Sequence, residues 1–564
     1  MSWTRGSHQL KIGGEYRRAL LDIFYEANTR GTFTFDGTRG PWATNAAYSS
    51  QQRALLDFLA GYPTNSSGAT IVRPAPGVSV TGSFLQRDYT QNSLDWFIHD
   101  NWQVNSALSV NFGVRFSYLG PLGDKKHEIT TFVPGKGIVG PGSGLDTLYH
   151  RDLNNYAPRV GFAWTPFKGK ATVLRGGYGI YYDVPAVAFF AANTGGGNGG
   201  AAGVDANPGG PLPIYSLSAP AGLILQPGVD PWASAGVPIL GVLSVNQELR
   251  TPYVQNMNVN VQQGLWKGAL LQAGYVGSQG RKLIYTRNIN AALPGTGSVQ
   301  SRRPYNSQYP TLGSINQLES GASSTYHSLQ MQLTQKLFRG VTGSVAYTWG
   351  HAIDNASEAR NVIPGYSYNL ALDRGRSDFD VRHTLTTFVS YSVPSYTTHF
   401  KVLTQGWQLN ALATAHTGLP ILFRAGTDVN GDGDTFDRIN IVSDPFASLP
   451  AASGPTSRVY VNRAAFTAAT PGTIGSLGRN VISGPRFFSI DPSLFKEFAI
   501  TERFKAQFRV EVFNVLNWTN YANPTVTFNS GSFGTITNTR NGGTAPGLGF
   551  GEPRNAQLAL KLIW

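Results

Sequence analysis

The residues whose types and spacing could bind a metal ion lie in an aspartate-rich stretch, residues 428–437. Its sequence is D-V-N-G-D-G-D-T-F-D, in which side-chain oxygens recur at every second position. Oxygen ligands at positions 1, 3 and 5, brought to one point by a turn at the sixth position, form the first half of a calcium loop. The ligands predicted by this pattern are Asp428, Asn430 and Asp432, with Asp434 or Asp437 completing the shell.

The same stretch differs from an EF-hand in two ways. Its twelfth position is Ile439, where an EF-hand has a bidentate glutamate, and no helical pattern flanks it. A polar turn built from Asp, Asn and Gly has the same composition, because these residues favour turns. Calcium binding and a plain polar turn therefore both stay open as interpretations.

Other patterns that could carry chemistry indicate structure instead. Residues 195–200 match G-x-G-x-x-G, but no strand precedes them and no helix follows, so a loop is predicted there rather than a dinucleotide site. Five histidines stand singly on predicted strands or at their ends, without the spacing of metal ligands: His99, His327, His351, His383 and His416. Acidic and basic residues cluster in a segment that predicts an ion-paired loop or strand base: Asp373, Arg374, Arg376, Asp378, Asp380 and Arg382. We therefore predict no enzyme.

Composition excludes further classes of protein. Charged residues make up 14% of the 564 residues, against about a quarter in soluble domains. No apolar run approaches the roughly 20 residues that a membrane-spanning helix needs. The chain has no cysteine, which excludes disulfides, thiolate metal sites and cysteine nucleophiles. Its net charge of +13 comes from scattered Lys and Arg residues, so no nucleic-acid partner is predicted.

The hydrophobic pattern has a period of two. In residues 505–512 and 555–564, apolar residues alternate with polar or charged ones, as in a strand with two different faces. Residues 108–118 alternate in the same way, which predicts lipid contact for Leu108, Val110, Phe112, Val114 and Phe116 and a wet lumen for Asn111, Arg115 and Ser117. Because the chain offers no helices to cover the apolar faces, we predict an all-β fold, a transmembrane antiparallel β-barrel.

Strand pairs with short turns alternate with long segments rich in Gly, Pro, Asn and Ser. Short turns near residues 105–106, 167–170, 266–268 and 338–340 predict hairpins. In outer-membrane barrels the short turns are periplasmic and the long loops extracellular. We expect about fifteen strands in one domain over residues 1–564, and one helical turn at residues 54–61. The long loops are predicted near residues 36–76, 120–153, 183–250, 282–324, 356–381 and 418–485.

Five segments, taken in order and spacing, resemble the barrel of Oar-like TonB-dependent transporters. They are N-N-Y-A-P-R-V-G-F-A-W at 154–164, V-L-R-G-G-Y-G-I-Y-Y-D at 173–183, T-P-Y-V-Q-N at 251–256, G-Y-V-G-S at 274–278 and F-R-V-E-V-F-N-V-L-N at 508–517. The similarity runs from residue 9 to residue 564. It implies a location in the bacterial outer membrane and, in the full-length protein, a TonB-type energy-transducing partner. The last strand, which ends at Trp564, resembles the signal by which the barrel assembly machinery recognises its clients.

The resemblance also sets expectations for the N-terminal part. Full-length members carry a signal peptide, usually a further N-terminal domain, a plug with a TonB box and a barrel of about 22 strands. Here the first recognisable element, residues 9–16, already has the pattern of a barrel strand. We therefore expect this chain to hold the barrel portion only, as an incomplete barrel.

Three functions are compatible with these features. The first is the binding and import of an unidentified substrate at the cell surface. The second is a barrel-anchored adhesion or surface-binding protein that transports nothing. The third, a secreted carbohydrate-active enzyme, is disfavoured because no paired carboxylates stand out. The predicted partners are outer-membrane lipid and an unknown extracellular ligand.

Overall fold

A computed structural model gives the structure of most of the chain. The residues it describes are 1–24, 32–62, 65–69, 86–125, 129, 131–141, 144–169, 171–183, 201–204, 240–310, 312–358, 365–394, 401–451, 457–501, 503–540 and 553–564. The predicted G-x-G-x-x-G loop at 195–200 lies outside them.

Fifteen strands follow one another in chain order, and each pairs antiparallel with the next. The predicted all-β, antiparallel fold is confirmed. The strands are β1 (Ser2–Arg5), β2 (His8–Phe24), β3 (Gln86–Asn105), β4 (Leu108–Leu119), β5 (Tyr156–Trp164), β6 (Thr172–Tyr182), β7 (Tyr253–Gly264), β8 (Ala269–Asn288), β9 (Leu312–Phe338), β10 (Val341–Asp354), β11 (His383–Ser392), β12 (Trp407–His416), β13 (Phe487–Ala499), β14 (Lys505–Phe513) and β15 (Asn555–Ile563). Within the described residues, β1 pairs only with β2 and β15 only with β14.

Shorter elements lie between these strands. The helices are α1 (Ser50–Ala60) and α2 (Lys401–Thr404), with single 3₁₀ turns at Gln300–Arg302, Leu370–Asp373 and Arg463–Ala465. The short strands are Thr32–Thr34, Asn65–Ala69, Gly123–Asp124, Thr131–Val133, Gly137–Pro141, Gly144–Leu145, Ala201–Val204, Leu240–Val245, Gly375–Arg376, Pro420–Ile421, Asn440–Ile441, Arg458–Val459, Phe466–Thr467, Ile482–Ser483 and Thr535–Ile536. No helix in the described parts is long and apolar enough to cross a bilayer.

The strands have one apolar and one polar face, as their alternation predicts. On the apolar face of β3 and β4, Trp96 lies opposite Phe116 and their rings stack with centroids 5.8 Å apart. On the polar face, Arg115 pairs with Asp95 at 3.0 Å. The apolar face is nevertheless exposed in the isolated chain: Phe112 retains 44% of its accessible surface. An exposed apolar face on so many neighbouring strands needs a non-aqueous surrounding.

Short and long connections alternate, so that they lie at opposite ends of the sheet. One of the two-residue links joins β9 to β10, and its residues Arg339 and Gly340 have φ values of 50° and 83°. A hairpin turn of type I′ requires positive φ at both central residues, which glycine adopts without strain. The predicted asymmetry between short turns and long loops is confirmed.

Two predicted boundaries were wrong. The loop predicted for residues 282–324 is shorter, because β8 extends to Asn288 and β9 begins at Leu312. In this extension Glu319 accepts hydrogen bonds from Tyr285 and Arg287, so no apolar alternation marks these strands. The single helical turn predicted at 54–61 is the three-turn helix α1, which begins with a capping box at Ser49.

Candidate functional site

The buried apolar side chains lie mainly at the end of the sheet where the long connections lie. We name this part the long-loop layer: it consists of the described residues of the connections 25–85, 120–155, 183–252, 289–311, 355–382, 417–486 and 514–554, with the strand ends next to them. One cluster joins residues 417–486 to residues 514–540, and Phe533 at its centre contacts Phe423 at 5.2 Å and Phe466 at 5.4 Å between ring centroids. A second packs Tyr89 and Leu318 with the loop residues Leu148 and Val245. Loops with cores of this kind present a fixed surface, because each core excludes water from the chain beneath it.

A buried arginine ties two of these loops together. Arg479 donates to the carboxylate of Asp354 at 2.6 Å and to that of Asp378 at 3.0 Å. Its side chain is 5% exposed and that of Asp354 is 2% exposed. Asn480 adds a hydrogen bond to Asp378 at 2.6 Å. We name Arg479, Asp354 and Asp378 the loop clamp, since it joins the end of β10 and the loop after it to the long loop before β13.

The predicted cluster of aspartates and arginines is ion-paired, as expected, although two of its partners lie far away in the sequence. Asp380 pairs with Arg376, which belongs to the same cluster, at 3.0 Å. Asp378 pairs instead with Arg479, and Asp373 with Arg438 at 2.9 Å.

The aspartate-rich stretch forms a compact loop in which side chains accept hydrogen bonds from the backbone. Asp428 accepts from the amides of Gly431, Asp432 and Gly433 at 2.7, 3.1 and 2.9 Å. Asn430 accepts from the amide of Asp432 at 2.7 Å, and its side-chain amide donates to Asp437 at 2.7 Å. The structure therefore brings the five predicted ligands into one hydrogen-bonded unit, which we name the aspartate loop. In the described residues no three acidic or histidine side chains are placed to hold one metal ion.

The electrostatics of the aspartate loop favour a cation or a proton. Burial, the largest cause, raises the pKa of Asp432 to about 7 and that of Asp437 to about 6, and neighbouring carboxylates add to both shifts. The pKa of Asp434 is also raised, mainly by burial. Arg303 faces the loop, where burial lowers its pKa while Asp434 and Asp432 oppose that change. Calcium binding stays a prediction of the sequence.

Proton binding makes the stability of the aspartate loop depend on pH. Because the folded-state pKa values of Asp432 and Asp437 lie above the ordinary value near 4, the folded loop binds protons more tightly than the unfolded chain. Its stability is therefore expected to fall as the pH rises from about 4 to about 7 without a divalent cation. The chain has no cysteine of its own, so a spin label on Thr435→Cys reports this position alone. The label should become more mobile over this pH range.

Added calcium at pH 7.5 should restore the low mobility if the loop binds the ion, and Asp432→Asn should abolish that response. The matched control is Asp444→Asn, which replaces an exposed aspartate of the same long loop. Equal mobility with calcium and with chelator would identify the loop as a plain polar turn.

Each of the five histidines singled out in the sequence has its own side-chain partner within the protein. His327 hydrogen-bonds Tyr275 at 2.6 Å and His383 hydrogen-bonds Tyr347 at 2.8 Å. The other three have partners of other kinds: His99 with Asn101, His351 with Asp380 and His416 with Arg540. Each of these imidazoles, inside a strand or near its end, has a structural use as a hydrogen-bond partner.

The family model of the outer membrane beta barrel domain matches residues 1–557. The chain belongs to this family. It is accordingly a β-barrel of the bacterial outer membrane, which explains its exposed apolar face as a surface for lipid. None of the curated proteins compared with it matches.

Three solved outer-membrane structures are similar to this chain at low identity. The outer membrane transporter YddB from Escherichia coli is 12% identical, with a TM-score of 0.48, and the alignment covers 100% of this chain and 52% of that one. The siderophore receptor PirA from Acinetobacter baumannii is 11% identical, with a TM-score of 0.44 and coverages of 100% and 53%. FpvA from P. aeruginosa, in a structure with a heterologous pyoverdine and iron, is 11% identical, with a TM-score of 0.43 and coverages of 100% and 46%. The outer-membrane barrel chain therefore spans about half the length of these proteins.

Proposed function

We propose that this outer-membrane barrel is the transporter portion of a TonB-dependent receptor, which binds an unidentified substrate at the cell surface and imports it. The observation that carries the proposal is the long-loop layer with its own apolar cores. A barrel that only anchored a protein in the membrane would not need several loops packed to one another. A layer of packed loops at the extracellular rim holds binding side chains in fixed positions, which lowers the entropy cost of capturing a ligand.

The polar face of the strands supports passage of a polar solute. Side-chain amides on neighbouring strands bond one another there: Gln262 of β7 donates to Gln272 of β8 at 2.9 Å and accepts from Arg175 of β6 at 2.6 Å. Gln408 and Asn410 of β12 make a similar bond at 2.9 Å. Side-chain amides both donate and accept hydrogen bonds, so they can exchange these bonds for bonds to a polar solute.

The partners follow from the same proposal. Outer-membrane lipid surrounds the apolar face, and the barrel assembly machinery binds the strand that ends at Trp564. A TonB-type energy-transducing complex drives import in the full-length protein. The alternative is a barrel-anchored surface adhesion or binding protein that uses the same loops without transport.

Energy dependence separates the two functions. Cells that make the full-length protein and cells that lack its gene are incubated with molecules from spent medium, and cell-associated compounds are measured by mass spectrometry. Transport predicts a compound that accumulates inside only with the gene, and whose accumulation stops when a protonophore collapses the inner-membrane proton gradient. A compound that stays on the cell surface and is unaffected by the protonophore would support the adhesion alternative and contradict import.

A further inference from the structure

Two adjoining cavities lie at the long-loop end of strands β10 to β13, and they share Arg486 and Trp518. The lower one, about 420 Å³, is lined almost entirely by apolar atoms. The upper one, about 490 Å³, lies among the loops and is lined by two arginines and three aromatic side chains. A molecule that filled both would have an apolar part in the first and a polar part in the second.

The lower cavity opens on the face of the barrel that meets lipid. Its floor is Ala415, which lies between Leu385 of β11 and Phe488 of β13 in the strand register. Trp349, 52% exposed, lies two residues after Tyr347 on the same face of β10. The small side chain between two large ones leaves a furrow. Ala413 and Ala411 continue it along β12, flanked by Ile490 and Pro492.

The upper cavity presents two guanidinium groups. Arg486 lies over the ring of Trp518 at 5.3 Å, and Arg458 lies over the ring of Tyr521 at 5.0 Å. Within the described residues no carboxylate comes within 4.0 Å of either group, whereas Arg376, Arg438 and Arg479 in the same layer all have carboxylate partners. Arginine binds phosphate through two parallel hydrogen bonds, and it keeps its charge at every physiological pH.

We infer that these cavities form a binding site for one anionic membrane lipid. An acyl chain lies in the furrow of β12, and the phosphate of the headgroup binds Arg486 and Arg458 at the extracellular rim. A soluble phosphate compound does not explain an apolar furrow that opens toward the bilayer. In a zwitterionic lipid the cationic end of the headgroup offsets the charge of the phosphate, so two arginines favour a lipid with a net negative charge. The charge of the upper cavity and the apolar lining of the lower one together fit a lipid with a phosphate headgroup.

The test uses the full-length protein, stripped of lipid and offered equal amounts of phosphatidylglycerol and phosphatidylcholine with the same acyl chains. Native mass spectrometry should show the anionic lipid retained at least fivefold over the zwitterionic one. The double variant Arg458→Gln/Arg486→Gln should lose this preference, while Arg458→Lys/Arg486→Lys should keep most of it. Arg554→Gln, an exposed arginine at the same rim that lines neither cavity, should behave as wild type.

The position of the acyl chain is tested separately. A phosphatidylglycerol with a photoreactive group in its acyl chain should cross-link to β12 and β13, and Ala415→Trp, which fills the furrow, should abolish that cross-link. Equal retention of the two lipids, an unchanged preference in the double glutamine variant, or cross-links spread evenly over the barrel would each overturn the assignment.

Discussion

Arg479→Met is expected to destabilise the long-loop layer by about 3–5 kcal/mol, because it leaves the buried carboxylate of Asp354 without its charged partner. Asp354 and Asp378 both bond the guanidinium of Arg479, and Asp354 is buried with it. Without the arginine, the buried carboxylate of Asp354 keeps only the hydrogen bond from the hydroxyl of Ser357 at 2.8 Å among its side-chain partners, and its negative charge has no cationic partner. The loop after β10 and the long loop before β13 should separate.

Hydrogen exchange of the intact protein measures this effect. Faster exchange is expected in residues 355–358, 365–382 and 470–484, with little change in the barrel strands. Arg463→Met is the matched control, because this exposed loop arginine contacts the ring of Phe528 at 4.4 Å and has no carboxylate partner among the described residues. Replacing Asp354 and Asp378 by asparagine in the Arg479→Met background should recover part of the loss. Equal protection in the Arg479→Met and Arg463→Met variants would show that the clamp contributes little.

Phe112→Arg is expected to lower the free energy of unfolding of the barrel by about 2–4 kcal/mol, the cost of a lipid-facing arginine near the midplane. Phe112 is the fifth residue of β4, and about 9–11 residues of a tilted strand cross the bilayer. Its side chain lies on the apolar face, opposite Val160 of β5.

The neighbouring residue supplies the control for this substitution. Asn111 lies on the polar face beside Gly161, so Asn111→Arg should change stability by less than about 1 kcal/mol. Urea unfolding in lipid vesicles, followed by the heat-dependent shift in gel mobility of folded barrels, compares the two variants. A larger loss for Asn111→Arg than for Phe112→Arg would mean that the strand register places the opposite face toward lipid.

The sequence predicted the barrel strands well because lipid and water select opposite side chains at alternate positions. The alternation of residues 108–118 and 505–512 therefore appears unchanged in β4 and β14. The extension of β8 and β9 has no such pattern, because loops pack on it and bury polar residues such as Asn288 along with apolar ones such as Leu318. Pairs such as Arg287 with Glu319 stabilise it, and alternation cannot reveal them.

The loop clamp could not be predicted for a different reason. Arg479 meets Asp354 and Asp378 from more than a hundred residues away, and no motif surrounds it. Asp378 belongs to the acidic and basic cluster that the sequence predicted, but neither Asp354 nor Arg479 could be recognised. The aspartate loop was predicted in part. The spacing of its Asp and Asn residues predicted a compact loop, which the structure shows, whereas the binding of calcium stays a prediction that the comparison of calcium with chelator tests.

The central claim is that the long-loop layer lies outside the cell and the short turns lie in the periplasm, and labelling of single cysteines tests it most directly. The chain has no cysteine of its own, so each introduced thiol reports one position. Ser298→Cys and Thr473→Cys are in long loops, Ser106→Cys and Lys267→Cys are in short turns, and all four native residues are exposed. A membrane-impermeant maleimide should label the two loop positions on intact cells and the two turn positions only after the outer membrane is permeabilised. Labelling of the turn positions on intact cells, with the loop positions protected, would contradict the account.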